Sequence, residues 1–130
     1  MGDNGNKKIL IVDDEVDIVE LLKLRLEING FFVMTALDGV EALEQIDKVI
    51  PDLVLMDVKM PRLNGYKVTK AIRDNQITQH IPIFLITALS KYTSNIAEQC
   101  RELGINGVFY KPFDSSELIR KIRECLRLTV

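Results

Sequence analysis

Four short apolar runs in this chain are followed at once by side chains that can do chemistry. Ile9–Val12 runs into Asp13 and Asp14, and Leu53–Met56 into Asp57. Ile83–Ile86 runs into Thr87, and Val108–Tyr110 into Lys111. If the runs are strands of one parallel sheet, these residues share the edge beyond the carboxyl ends of the strands, where such sheets bind ligands. Three carboxylates gathered there repel one another and raise each other's pKa. A cation relieves that repulsion, and an all-oxygen ligand set favours Mg²⁺, with Mn²⁺ able to substitute. A carboxylate beside such a metal can attack a phosphoryl group as a nucleophile. Thr87 can donate to one phosphoryl oxygen, and Lys111 can neutralise another. The set reads as a site for a magnesium-dependent aspartyl phosphate. Each piece alone has a blander reading: a solvated helix start for Asp13-Asp14, a turn for Asp57, a strand-end cap for Thr87, a loop for Lys111-Pro112. The weight lies in four strand ends of fitting chemistry in one order.

The elements that must position them alternate between two periods. Ile9–Val12, Phe31–Thr35, Leu53–Met56, Ile83–Ile86 and Val108–Tyr110 are strand-sized runs. Between and after them come stripes at helical spacing. They are Ile18, Val19, Leu22 and Leu26; Ala42, Leu43 and Ile46; Val68, Ala71 and Ile72; Ile96, Ala97, Cys100 and Leu103; and Leu118, Ile119, Ile122 and Leu126. Gly30 and Gly104 stand where helices should stop, and Pro51 and Pro82 precede strands. Strict alternation predicts a single α/β domain, a doubly wound (βα)5 unit with a parallel sheet covered by helices on both faces. Residues 1–6 are small and polar and predict a flexible arm. The domain is expected over 7–130.

Composition excludes other classes. The 130 residues carry 17 basic and 19 acidic side chains, a net charge of −2, so bulk charge holds no nucleic acid and no direct nucleic-acid binding is expected. No run approaches the ~20 apolar residues of a membrane span, and residues 1–6 contain no apolar signal-peptide core. Cys100 and Cys125 have no metal or redox spacing and are expected as mostly buried, reduced thiols in a cytoplasmic protein. His80 lies in a polar loop and is expected at the surface.

Beyond these readings, the chain resembles the receiver domain of two-component response regulators. The resemblance rests on Ile9-Leu10-Ile11-Val12-Asp13-Asp14-Glu15, on Pro51-Asp52 through Met60-Pro61 around Asp57, on Gly65, on Thr87-Ala88 after Pro82, and on Lys111-Pro112-Phe113. It runs from about Lys7 to about Leu126. It implies strand order 2-1-3-4-5. It implies Asp57 as phosphoacceptor from a sensor histidine kinase or a histidine phosphotransfer protein. Asp14 and Asp57 would bind Mg²⁺ directly, Asp13 through water, and Lys59 through its backbone carbonyl. Thr87 and Lys111 would hold the phosphoryl group, with a cis Lys111–Pro112 bond aiming Lys111 inward and the small Ala88 leaving access. Gly65 is expected at positive φ in the loop over the metal. A homodimer or output partner would use the face of the fourth helix, fifth strand and fifth helix. The chain would then be a switch that catalyses only its own phosphoryl transfer and loss, not a turnover enzyme.

One position departs from the family. The aromatic expected three residues before the Lys of Lys-Pro is Val108, and alternation points Phe109 to the opposite face. Phe109 and Tyr110 are expected as packing residues, and the readout as lacking a large aromatic flip. Lys59 and Leu89 border the path of an attacking water in the family, which predicts slow phosphate loss. Three alternatives compete at this level, and the residues speak against the first two. A dehalogenase-type phosphatase would need an Asp at Lys59. A flavodoxin would have to hold a flavin phosphate that Asp13-Asp14-Glu15 repel. The third is a receiver-like module that binds partners without phosphate.

Overall fold

The computed structural model describes residues 7–60, 63–88 and 96–127, apart from the side chains of Ile96, Ala97, Gln99 and Cys100. The expected arm at 1–6, Pro61, Leu89 and 128–130 lie outside them. Strands β1 (Lys8–Val12), β2 (Phe32–Ala36), β3 (Leu53–Asp57), β4 (Ile83–Thr87) and β5 (Gly107–Tyr110) alternate with five helices. These are α1 (Val16–Ile28), α2 (Gly39–Lys48), α3 (Gly65–Asp74), α4 (Ile96–Leu103) and α5 (Ser115–Leu126). All neighbouring strands pair in parallel, in the order β2-β1-β3-β4-β5.

The strands in the middle are apolar up to their last residues, Asp57 and Thr87, because helices cover both their faces. Every residue of β3 and β4 is buried. Alternation divides them between two cores. Leu10, Val12, Val54, Met56, Ile83 and Leu85 pack with Ala42 and Ile46 of α2 and Val68 and Ile72 of α3. Ile9, Ile11, Leu53, Leu55, Phe84 and Ile86 pack with Val19, Leu22 and Leu26 of α1 and Leu118, Ile119 and Ile122 of α5. No helix among the described residues is long and apolar enough to cross a membrane.

Three details differ from the sequence expectation. The second strand starts at Phe32, not Phe31. Gly30, at φ 90°, ends α1, and the Phe31 amide still donates to the Leu26 carbonyl. Phe31 therefore closes the helix and is buried, while Phe32 is 56% exposed. On α3, Ala71 faces solvent. Thr69 is buried instead, its hydroxyl satisfied by the Gly65 carbonyl at 2.7 Å. Cys125 is half-buried rather than mostly buried, and burial pushes its thiol pKa up, so it stays protonated. The Cys100 side chain lies outside the described residues.

Arg73 at the end of α3 has a role that no periodicity announces. Its Nε donates to the Leu103 carbonyl at 2.8 Å and its Nη2 to the Gly104 carbonyl at 2.9 Å. Its Nη1 donates to the carbonyls of Ile81 at 2.7 Å and Gln79 at 3.1 Å. One planar fork thus ties α3, the loop before β4 and the C-terminal end of α4. Arg73→Met is expected to cost roughly 2–3 kcal/mol, because charge-assisted bonds to half-buried carbonyls are lost with no substitute donor. Urea unfolding should show this as a lower midpoint at unchanged slope. Lys in its place recovers only part, since one ammonium cannot span the fork.

Candidate functional site

The parallel register brings the expected residues to one edge. Asp57 ends β3, Asp13 follows β1, and Thr87 ends β4 beside Asp57's neighbour Ile86. Asp13, Asp57 and Thr87 are buried, and Asp14 is exposed. One carboxylate oxygen from each of Asp13, Asp14 and Asp57 lies within 4.8 Å of the other two. Lys111 reaches this group from the end of β5, where its amide donates to the Thr87 carbonyl at 2.8 Å. The Lys111–Pro112 bond is cis, as the resemblance implied.

Charge at the site is out of balance. Lys111 Nζ lies 2.6 Å from Glu15 Oε1, 3.0 Å from Asp13 Oδ2 and 3.4 Å from Asp57 Oδ2. One ammonium therefore serves four acidic residues, counting Asp14. Asp13 Oδ1 accepts the Glu15 amide at 2.9 Å, but Asp13 Oδ2 is buried with no hydrogen bond of its own, since Lys111 approaches it outside hydrogen-bonding geometry. Desolvation, then the neighbouring Asp13 charge, raises the Asp57 pKa to about 6 against the pull of Lys111. Burial alone would depress Lys111, but the Glu15, Asp13 and Asp57 carboxylates outweigh it and hold the ammonium above its ordinary value. Three clustered hard carboxylate ligands, one with a buried oxygen held only by an ion pair, fit a small divalent cation.

The loop after β3 is shaped by glycine for a reason other than the expected one. Gly65 does not have positive φ. A Cβ there would lie 2.3 Å from the Asp57 carbonyl oxygen and 3.0 Å from Val58 Cα. Gly65 opens α3 directly against the acceptor strand, its amide donating to the Val58 carbonyl at 2.9 Å. Close approach, not backbone twist, demands the missing side chain. Lys59, two residues beyond Asp57, is exposed, and so is Ala88. Leu89 lies outside the described residues.

At β5 the alternation holds. Val108 packs against the core under α2 and α3, and Phe109 against the opposite core, its ring centroid 5.5 Å from that of Phe84. Tyr110 pairs in register with Thr87 and is half-buried. His80 is exposed in the loop before β4, away from the carboxylates.

Two features escaped the sequence reading. Glu15 is the tightest partner of Lys111, though it entered only as the end of a motif. A cleft of about 450 Å³ also opens beside the site, lined by Glu15, Ile18, Leu21, Ala88, Lys111 and Phe113. Next to it α1 turns a second apolar stripe to solvent, with Leu21 53%, Leu24 56% and Ile28 72% exposed. Their i, i+3, i+7 spacing was the available signal.

Comparison with known proteins gives one consistent result. Residues 9–123 match the family model described as the response regulator receiver domain. The alkaline phosphatase synthesis transcriptional regulatory protein PhoP of Bacillus subtilis is 39% identical over 122 residues, covering 94% of this chain and 49% of that protein. The transcriptional regulatory protein CpxR homolog of Haemophilus influenzae is 39% identical over 120 residues, covering 92% of this chain and 50% of that protein. This chain thus spans about half the length of the curated relatives it matches. Among solved structures, the Francisella response regulator 1452 receiver domain superposes with a TM-score of 0.84 at 31% identity, covering 94% of this chain and 98% of that one.

Proposed function

The chain belongs to the response regulator receiver family of two-component systems, and from that premise we propose that it is a phosphorylation switch with Asp57 as the acceptor. The observation that carries this reading is the buried Asp57 carboxylate, flanked by Asp13 and Asp14 and faced by Lys111. A carboxylate oxygen of Asp57 attacks the phosphorus of a phosphohistidine. The new P–O bond forms as the P–N bond breaks, and the imidazole leaves with the electron pair of that bond. The Thr87 hydroxyl donates to one phosphoryl oxygen, and Lys111 pairs with another. Mg²⁺, held by the carboxylates of Asp14 and Asp57, by Asp13 through water and by the Lys59 carbonyl, would neutralise charge on the transferring group. Mn²⁺ would serve in its place.

The donor is a sensor histidine kinase or a histidine phosphotransfer protein, in a cytoplasmic setting. The cleft beside Lys111 and the outward stripe of α1 offer it an apolar seat at the acceptor. The charge gained at Asp57 shifts a two-state equilibrium that a homodimer or output partner reads on the α4, β5 and α5 face. This domain itself binds no nucleic acid, and it turns over nothing but its own phosphoryl group.

Intact mass after incubation with acetyl phosphate tests the reading. One phosphoryl adduct is expected on the wild type with Mg²⁺, and none without Mg²⁺ or on Asp57→Asn. No adduct from acetyl phosphate or from a phosphohistidine donor would favour a binding module that works without phosphate.

A further inference from the structure

Resting on that reading, we infer that Glu15 is a positioning residue, a latch that holds the Lys111 ammonium away from Asp57 until a phosphoryl group arrives. The order of distances is the first ground. Lys111 Nζ sits 2.6 Å from Glu15, 3.0 Å from Asp13 and 3.4 Å from Asp57, so the resting ammonium is nearest the carboxylate at the rim and farthest from the acceptor. Exposure is the second. The side chain of Glu15 is 56% exposed, against 6% for Asp57 and 2% for Asp13. The latch therefore pulls the lysine outward, against the buried pair.

Local structure gives the third ground. Glu15 is the N-cap residue of α1, but its side chain makes no cap hydrogen bond. Its backbone is fixed instead. Its amide donates to Asp13 Oδ1, and its carbonyl accepts from the Ile18 and Val19 amides. The carboxylate is left to Lys111 and is free to swing without disturbing the helix. It also lines the cleft with Ile18, Leu21 and Phe113, so a group seated there meets Glu15 beside Lys111.

The magnitudes permit release. A half-exposed ion pair is weak, worth at most about a fivefold shift in an equilibrium. Phosphorylation turns the Asp57 carboxylate into an acyl phosphate of almost two negative charges, a net gain of about one at a buried position, and the ammonium follows it. Glu15 thus sets how readily Lys111 is released, while Lys111 itself makes the contact.

The test is a double-mutant cycle on the binding of beryllofluoride, a phosphoryl mimic, in the presence of Mg²⁺, followed by fluorine NMR. Glu15→Gln is expected to tighten binding about three- to fivefold. In a Lys111→Met background the same change should have no effect, because there is no ammonium left to release. An equal effect of Glu15→Gln in both backgrounds, or weaker binding by Glu15→Gln alone, overturns the latch. Failure of the wild type to bind beryllofluoride at all overturns the switch reading with it, so the two failures are distinct. The side-chain ammonium resonance of Lys111 gives a second readout that needs no Lys111 variant. It should differ between wild type and Glu15→Gln in the free protein and coincide once beryllofluoride is bound. A difference that persists in the bound state means Glu15 never lets go, and the latch fails.

Discussion

Asp57→Asn should melt higher than the wild type near neutral pH, by about 5–10 °C in the absence of divalent cation. The folded chain raises the Asp57 pKa from 3.8 to about 6, chiefly by burial and by the charge of Asp13. Between these values the folded state binds more protons than the unfolded state, so stability falls as pH rises. The favourable contribution of the protonated carboxyl is complete below about pH 4 and gone above about pH 6. At neutral pH the wild type therefore bears a cost of roughly 2–3 kcal/mol for a buried, underpaired carboxylate. Asn keeps the shape and sheds the charge. For a domain of this size that energy corresponds to the stated rise. Thermal melts of both proteins at about pH 4, 6 and 8 test the assignment. The gap should close toward acid and shrink when Mg²⁺ neutralises the wild-type cluster. A gap that does not depend on pH would mean that something other than this carboxylate sets it.

Gly65→Ala should damage both fold and site. The new methyl group would lie 2.3 Å from the Asp57 carbonyl oxygen, with Met56 Cγ and Val58 Cα at 3.0 Å. Two of those three atoms are backbone, so no rotamer change relieves the clash, and α3 must move off β3. A loss of about 3 kcal/mol in urea unfolding is expected, at the severe end of overpacking. Because the displaced backbone belongs to Asp57 and its neighbour, Mg²⁺ affinity should also fall, by about tenfold, on the scale of lost ligand support. Gly107→Ala is the matched control. Its added Cβ would meet only side-chain rings among its nearest neighbours, Phe84 at 3.3 Å and Phe109 at 3.6 Å. The rings can shift, so the control should lose no more than about 1 kcal/mol. If both variants unfolded alike, the close approach at Gly65 would not be what constrains it.

How much of this was legible in the chain depends on the kind of signal each residue leaves. Asp13, Asp57, Thr87 and Lys111 stood out because each ends a run that is apolar without a break, and such runs are the buried strands of a parallel sheet. Asp14 followed from its neighbour. Glu15 and Arg73 left no such trace. A charged residue at a helix start or on a helix flank is usually solvated, and nothing local says that Glu15 will meet a lysine 96 positions away. Arg73 likewise reaches carbonyls 30 and 31 positions along. Gly65 was noticed for the wrong reason, since glycine in a loop serves positive φ and close approach alike, and only packing tells them apart. The one-residue displacement of β2 came from the end of α1. The turn after Gly30 takes up Phe31 through a backbone bond, which hydrophobicity cannot report.

The grip of Arg73 on Leu103 and Gly104 has a mechanical consequence. It makes α4 a rod of roughly 12 Å fastened at its far end. A rod held chiefly there would turn most easily about the fastening. A push arriving at the end nearest Thr87 in sequence would therefore be converted into tilt rather than translation. Such a stroke would be largest at Ile96 and die away by Leu103, so a surface that read this helix would gain most by touching its first turn.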